Sequence, residues 1–481
     1  MCAFHLVVGQ ANDGGIRNIC LLLELCQLDQ FIASSYCAQQ KVAADTEIAI
    51  AQFGQEEQAR LAKEMPHRKI TLCEDETFHP EVCLVAIEPV SNYLILEEYA
   101  DNRTAPTWNA AINEALKPFS VTVIQCCSDL ASALISHAVV FLGVHHSPDL
   151  FHVQQDTCKA TSAPLYRQTE KAEKAFKAAD DLCQQAAKDL EDFQGNWPNS
   201  IKQLAQVQKL ESEISNLEEV HNNARSEFET AQSRQHRARN ARLGIGLDYH
   251  PFEVTTGAPR KASEVESSLA GHFDTLDQVA AEANLGQSSI ARLAKARRVL
   301  PALIETIRFF WTLISSHAQE LSKQFSSEVV RVWWSELVAG CYLALVAERC
   351  RDSKERKRLR ELSSSILEQA KARDGPLKEL SDEQKDYLVA EARMAAEWFQ
   401  RSSSCVEGRN GQLSLRHHGL KEITKRKLRV LGVLHNFVIK RRDGSTAASR
   451  FFGQKPRELF PWLVEHMPLP SRPRRRRTKI L

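Results

Sequence analysis

Long apolar runs are missing from this chain of 481 residues. The longest candidates, 138–144 and 337–346, fall short of the roughly 20 residues that cross a bilayer, and no basic stretch precedes an apolar one at the N-terminus. Neither a membrane span nor a secretory leader is expected. Cysteine pairing motifs are missing as well. The thirteen cysteines are odd in number and scattered, with no zinc-pair or redox spacing. Cys126 and Cys127 are adjacent, but a strand would turn them to opposite faces. Such usage suits a reducing compartment, so a cytoplasmic protein is expected. Internal repeats are also absent.

A charge of one sign is missing overall, since the net charge is +1, yet its distribution is uneven. From Arg401 to Leu481 there are 20 Lys and Arg against 5 Asp and Glu, a balance of +15, which leaves −14 for the first 400 residues. A basic C-terminal region on an acidic body implies a polyanionic partner, with a solvated face and tail as the plain alternative. At 43% hydrophobic, the chain can bury substantial cores.

Five regions are expected. Residues 1–66 read as short helices: Gly14–Cys26 is apolar, Gln27–Ile32 is a turn, and Ala33–Ala43 follows a Ser-rich start. Two short helices across a tight turn suit a helix-turn-helix, although Lys41 is the second helix's lone cation and a small packing subdomain is the competing reading. Residues 67–159 read as strand, strand, strand, helix, strand, helix, strand. The strands are Lys69–Cys73, Val82–Ile87, Tyr93–Tyr99, Val121–Cys126 and a last one near Asp149–Val153; Glu88–Asn92 forms the hairpin turn, and Thr104–Leu116 and Leu130–Phe141 are the helices. This is the order of an RNase H-like sheet.

Residues 160–395 read as an all-helical insertion. Ala172, Phe176, Ala179, Leu182, Ala186, Leu190 and Phe193 recur at three-and-four spacing, and Leu204, Val207, Leu210, Ile214, Leu217, Ala224, Phe228 and Ala231 do so again after the break 195–200. An antiparallel, coiled-coil-like hairpin over 165–242 is expected. A loop with several Gly and Pro over 244–261 precedes an apolar helical core around Phe309, Phe310, Trp311, Trp333 and Trp334. Residues 396–460 return to the first domain and carry Glu407 on a helix, and 461–481 form a basic tail rich in Pro and Arg. The expected class is thus α/β with a large all-α insertion, an RNase H-like mixed sheet interrupted by a helical bundle.

Two acids draw attention, Asp75 and Asp129, which stand where apolar strands are expected to give out. Rigid strand ends can hold carboxylates around a cation and its waters. Read without context, they are ordinary strand-end acids. In an RNase H-like order the first and fourth strands are neighbours, so the two would converge, and Glu407 could close the site from a helix laid across the sheet. Three or four carboxylates holding paired Mg²⁺ ions about 3.5–4 Å apart can activate a nucleophile and stabilise a leaving oxygen at a phosphodiester. Asp149 is a fourth acid or an orienting partner. Glu74 and Glu76, flanking Asp75, are expected to be solvated. Strand alternation sets His145 and His146 apart, so a zinc set with Asp149 and His152 is not the preferred reading. Arg409, Asn410, Arg416, His417, Lys425, Arg426 and Lys427 are candidate DNA contacts.

The segments Cys405-Val-Glu-Gly-Arg-Asn-Gly-Gln-Leu-Ser-Leu-Arg-His-His-Gly419, Val433-Leu-His-Asn-Phe437, Arg442-Asp-Gly-Ser-Thr-Ala-Ala448 and Phe451-Phe-Gly-Gln-Lys-Pro-Arg-Glu-Leu-Phe460 resemble the C-terminal region of bacterial insertion-sequence transposases of the DDE class. Cys73-Glu-Asp-Glu-Thr-Phe78 and Asp149-Leu-Phe-His152 extend the resemblance. It implies a DNA transposase of a mobile element with the triad Asp75, Asp129 and Glu407, Mg²⁺ or Mn²⁺ as cofactor, element ends and target DNA as partners, and a homodimer. The family also carries a helical insertion before its glutamate helix. Its members have a more extensive N-terminal DNA-binding region than this chain, so a shortened copy is expected, which bears on activity more than on fold. An inactive remnant that only binds nucleic acid or pairs through its coiled coil is the alternative.

Overall fold

The computed structural model describes residues 1–78, 81–195, 201–372, 375, 377–420 and 422–473. They form two compact units, Met1–Asp149 with Glu397–Leu481, and Leu150–Ala396. The described residues are mostly helical, with one mixed sheet of five strands.

The first unit opens with a short helical segment, Cys2–Ala11, followed by helices α1 (Ile16–Leu25) and α2 (Tyr36–Lys63). Ser35 caps α2 by accepting from the Ala38 amide, 3.4 Å away. This helix runs far beyond the short second helix expected from Ala33–Ala43. Its later turns bury Ile50, Phe53 and Leu61 against the sheet, so α2 belongs to the core of this unit.

The strands are β1 (Arg68–Phe78), β2 (Val82–Glu88), β3 (Tyr93–Ala100), β4 (Val121–Ser128) and β5 (His145–Pro148). Helix α3 (Ala105–Leu116) joins β3 to β4. Helix α4 (Ser132–Ser136), extended by a π-type turn over His137–Phe141, joins β4 to β5. Their order in the sheet is β3-β2-β1-β4-β5. The pairs β1–β2 and β2–β3 are antiparallel, whereas β1–β4 and β4–β5 are parallel. Both faces of this central strand are covered, which is why Ile70, Thr71, Leu72, Cys73 and Glu74 are all buried.

Two expectations about the strands are corrected. The first strand does not stop before Glu74: it continues to Phe78, with Asp75 opposite Val85 and Phe78 opposite Val82. Pairing to β2 keeps the backbone extended past the acids. The last strand lies at His145–Pro148, not near Asp149–Val153. Leu150, Val153, Thr157, Ala160 and Leu165 are buried at helical spacing, so the apolar residues after Asp149 begin a helix.

That helix, α5 (Leu150–Gly195), opens the second unit and pairs with α6 (Ile201–Asp248). Thr169 donates to the Ala231 carbonyl at 3.3 Å, Phe176 stacks on Phe228 at 5.9 Å, and Asp180 meets His221 at 3.2 Å. Rising numbers on one helix meet falling numbers on the other, so the pair is antiparallel. The expected break at 195–200 lies outside the described residues from 196 onward. Helix α6 overruns the loop expected from residue 244. A Cβ on Gly244 would stand 2.2 Å from the His272 ring and one on Gly246 2.4 Å from Gln154, so glycine here serves close packing between helices.

The unit continues through α7 (Ala262–Glu282), α8 (Gln287–Arg297), α9 (Leu300–Leu321) and α10 (Ser327–Val332), which runs on through a π-type turn into α11 (Val338–Arg349). Helices α12 (Ser353–Ala370) and α13 (Asp382–Glu397) complete it. Phe310 and Trp333 are fully buried in its core. Contrary to the expectation from apolar runs, Gln287–Leu321 and Ser327–Arg349 are long and apolar enough to cross a membrane by length and composition. The core helix of a soluble protein passes the same test, and Leu303, Ile307 and Leu337 are buried within the unit.

Four helices return to the first unit: α14 (Ser404–Leu420), α15 (Lys425–Phe437), α16 (Ala447–Phe452) and α17 (Leu459–His466). Thr424 caps α15 through the Lys427 amide at 3.2 Å, and Thr446 with Ser449 forms a reciprocal cap on α16. On one sheet face, Leu72, Leu84, Leu96 and Cys126 meet Phe53, Trp108, Phe437, Phe451 and Trp462. On the other, Cys73, Val85 and Cys127 meet Val406 and Leu413 of α14 and Leu428 and Leu431 of α15. The glutamate helix therefore lies directly on β1 and β2. Residues 474–481 of the basic tail lie outside the described residues.

Candidate metal centre

Strand register brings the two aspartates level. Cys73 lies opposite Cys127 in the parallel β1–β4 pair, and two residues further along each chain stand Asp75 and Asp129. Residues two apart on a strand share a face, so Asp75 points to the side covered by α14. Asp129 follows the last residue of β4, where its Oδ1 accepts from the Ala131 amide at 2.9 Å and shapes the turn into α4.

Asp149 follows β5 in the same way. Its amide donates to the Ser128 carbonyl at 2.9 Å, and its Oδ2 accepts from Ser403 Oγ at 2.8 Å. Ser403 immediately precedes α14, whose first turn carries Glu407. Carboxylate oxygens of Asp149 and Glu407 come within 4.8 Å of each other. Asn410, three residues on, donates from Nδ2 to Asp75 Oδ2 at 2.7 Å. One helix thus supplies an acid to the centre and a hydrogen bond to the central aspartate.

The electrostatics reflect this crowding. The Asp75 carboxyl is pushed up to about 7, first by burial and then by the charges of Glu407, Asp129 and Glu76. Glu76 is raised by burial and by Asp129, against the opposing pull of Arg103, whose Nη1 is 3.3 Å away. Burial lowers His146, whose ring is 2.9 Å from Ser128 Oγ beside Asp129. Asp129 and Glu407 each lie close enough to Asp75 for their charges to act on it, but the groups whose ligand atoms all lie within 4.8 Å do not include the three together among the described residues. Neither His145 nor His146 belongs to such a group among the described residues.

Both flanking glutamates depart from expectation. Glu74 is fully buried on the opposite face and meets His137 Nδ1 at 3.2 Å. Glu76 has a side chain only 6% exposed and is paired with Arg103. Alternation was correct for the face; solvation was not, because both sides of β1 are covered.

Most of the candidate DNA contacts are engaged inside the unit. Arg409 forms a buried double hydrogen bond to Glu97, and Asn410 serves Asp75. Arg416 donates to Asp13 at 2.6 Å and to the Ala11 carbonyl at 2.8 Å. Lys427 is buried, its Nζ 2.8 Å from Gln10 Oε1. Arg426 is exposed but bonds Glu47 at 2.7 Å. Lys425 is exposed at the start of α15, and His417 is partly buried on α14. The expectation of phosphate contacts is corrected for Arg409 and Lys427, which have too little surface to offer. Cations next to apolar residues in sequence gave no sign of which would turn inward. Glu76, Arg103, Ser403 and the role of Asn410 were not read from the sequence; only the short spacing of Ser403 and Asn410 from Glu407 hinted at the last two.

Residues 334–479 match the model of a family of unknown function, DUF6399, a span that includes Glu407 and all four returning helices but less than half of the chain. No curated protein and no solved structure matches the chain.

Proposed function

We propose that the first unit is an RNase H-like nuclease core acting as a DDE-type DNA transposase, with Asp75, Asp129 and Glu407 holding divalent metal and Asp149 supporting them. The observation that carries this reading is the level placement of Asp75 on β1 and Asp129 just past the end of the adjacent parallel strand β4, beneath a helix that adds Glu407. The order β3-β2-β1-β4-β5, with three antiparallel strands followed by two parallel ones, supports the fold assignment. The resemblance of the 405–460 segments to insertion-sequence transposases supports the choice of DNA as substrate.

The donor set suits Mg²⁺ or Mn²⁺, since clustered carboxylate oxygens are hard ligands. Burial first, and then the neighbouring acids Glu407 and Asp129, raise Asp75 to about 7, and a divalent cation among these carboxylates would offset that charge. Bound metal would supply Lewis-acid stabilisation of the phosphodiester and an activated water. The chain's own residues position that chemistry: Asn410 orients Asp75, Ser403 orients Asp149, and the sheet prevents either acid from drifting. The test is strand transfer with Mg²⁺ on DNA ends taken from the sequence on either side of the gene. Glu407→Gln should abolish product while circular dichroism and melting stay native. Full activity in that variant overturns the assignment, and salt-sensitive DNA binding without any metal-dependent product in the wild type favours the non-catalytic remnant.

A further inference from the structure

A second group of metal-binding side chains lies on the opposite face of β1. Glu74 on β1, Cys126 on β4 and His137 at the head of the π-type turn are each fully buried. One ligand atom from each lies within 4.8 Å of the others. His137 Nδ1 is 3.2 Å from both Glu74 oxygens, the Cys126 thiol hydrogen-bonds to the same carboxyl, and Trp108 stacks against the imidazole with centroids 6.2 Å apart. Glu74 Oε1, fully buried, has that imidazole contact but no well-formed hydrogen bond. Buried carboxylate oxygens without a well-formed hydrogen bond are uncommon in natural cores. Three elements that are separate in sequence converge on this point, and the π-type turn aims His137 at it, as such turns do at functional sites.

We propose that Glu74, Cys126 and His137 form a structural Zn²⁺ site, separate from the acidic centre across the strand. The ligand chemistry selects the ion. Thiolate and imidazole favour zinc over Mg²⁺, and full burial excludes the waters that Mg²⁺ retains. Both Glu74 oxygens face the site, so a bidentate carboxylate can complete four-coordination. Charges balance: zinc at +2 meets a carboxylate and a thiolate at −1 each with neutral imidazole, which removes the penalty of an isolated buried charge. Binding forms the Zn–S bond as the Cys126 thiol releases its proton to solvent, with no change of oxidation state. The ion would tie β1, β4 and the π-type turn together directly behind Asp75 and Asp129, stiffening the strands that hold them.

The test uses the full chain purified from zinc-supplemented cells. Metal analysis should find one zinc per chain, retained in Asp75→Asn/Glu407→Gln and lost in Cys126→Ser and in His137→Gln. Because both of the latter alter fully buried side chains, the wild type is also stripped with a strong chelator and titrated with Co²⁺. A thiolate-to-cobalt charge-transfer band and recovery of the melting temperature on zinc addition are expected. A chain that carries no zinc, and whose stripped form shows neither band nor recovery, overturns the proposal. Zinc lost from the Asp75/Glu407 variant but kept by the Cys126 variant also overturns it, by assigning the ion to the acidic centre.

Discussion

Arg409 Nε and Nη2 donate to the two carboxylate oxygens of Glu97 at 2.6 and 2.7 Å, with side chains only 4% and 3% exposed. The pair fastens α14 to β3 two residues after Glu407, so its geometry sets where the glutamate sits. Both charges are withdrawn from water, and neither can lose its partner cheaply. Arg409→Met should therefore destabilise the first unit by about 3–5 kcal/mol in denaturant unfolding. Arg409→Lys should not rescue it, because an ammonium cannot reproduce the forked contact. A loss below about 1 kcal/mol, the usual worth of an exposed pair, would show that the contact is not maintained in solution.

Asp75 sets a pH dependence of the metal-free protein. Its carboxyl is raised from 3.8 to about 7 in the folded chain, so the folded state binds that proton more tightly than the unfolded state. The associated stability is fully present below about pH 4 and is lost as pH rises through about 7. Asp75→Asn removes the titration, and its amide can still accept from Asn410. The variant should gain on the wild type by on the order of 1–3 kcal/mol between pH 5 and 8 in chelator. Added Mg²⁺ should narrow the gap at pH 8. A difference that stays flat across this range argues against the raised carboxyl.

Glu57 works in the opposite sense. Although burial raises its carboxyl, hydrogen bonds from Arg60 and from the Arg457 amide and side chain outweigh it and hold the group at about 2. Arg60 Nη2 lies 2.7 Å and Arg457 Nε 2.6 Å from its oxygens, clasping α2 to the segment before α17. This stability is present above about pH 4.5 and is lost as pH falls toward about 2. Glu57→Gln should cost on the order of 2–3 kcal/mol at pH 7, with the deficit shrinking steadily under acid. Equal deficits at pH 7 and pH 2.5 would assign the effect to packing alone.

Lys425 tests whether α15 faces DNA. It is exposed on the first turn of α15 while Lys427, two residues on, is buried against Gln10. If α15 lies along a DNA backbone, Lys425→Ala should lower the slope of log affinity against log salt by about 0.9, one phosphate contact, without altering the melting temperature. Lys427→Ala should do the reverse, lowering stability first. An unchanged slope in Lys425→Ala places the DNA elsewhere.

The extent of what was readable follows from the range of the signals. Hydrophobic periodicity is local, so strands around Leu72, Val85, Leu96 and Gln125 and the paired helices through Phe176 and Phe228 could be read directly. Boundaries were less readable. The first strand was expected to stop before Glu74 because acids are poor strand residues, but pairing to β2 carries it to Phe78 after the pairing to β4 has ended at Cys73. Leu150, Phe151 and Val153 are too few to distinguish a strand from the start of a helix. Glu407 was singled out as a candidate by the segment Cys405–Gly419 around it, but Asp75, the partner of Asn410 in that segment, lies hundreds of residues away.

The amino-acid sequence alone determined which residue types were available: acids at 74–76, 129, 149 and 407, a long helical insertion between them, and a basic C-terminal region. The tertiary structure decided their surroundings. Register set Asp75 level with Asp129, and alternation sent Glu74 through the sheet to Cys126 and His137. The packing of α14 turned Arg409 inward to Glu97. Charge and ligand type belong to the residue, whereas burial and partner depend on elements that meet only once the chain has folded, and it is burial and partner that set a carboxylate's proton affinity.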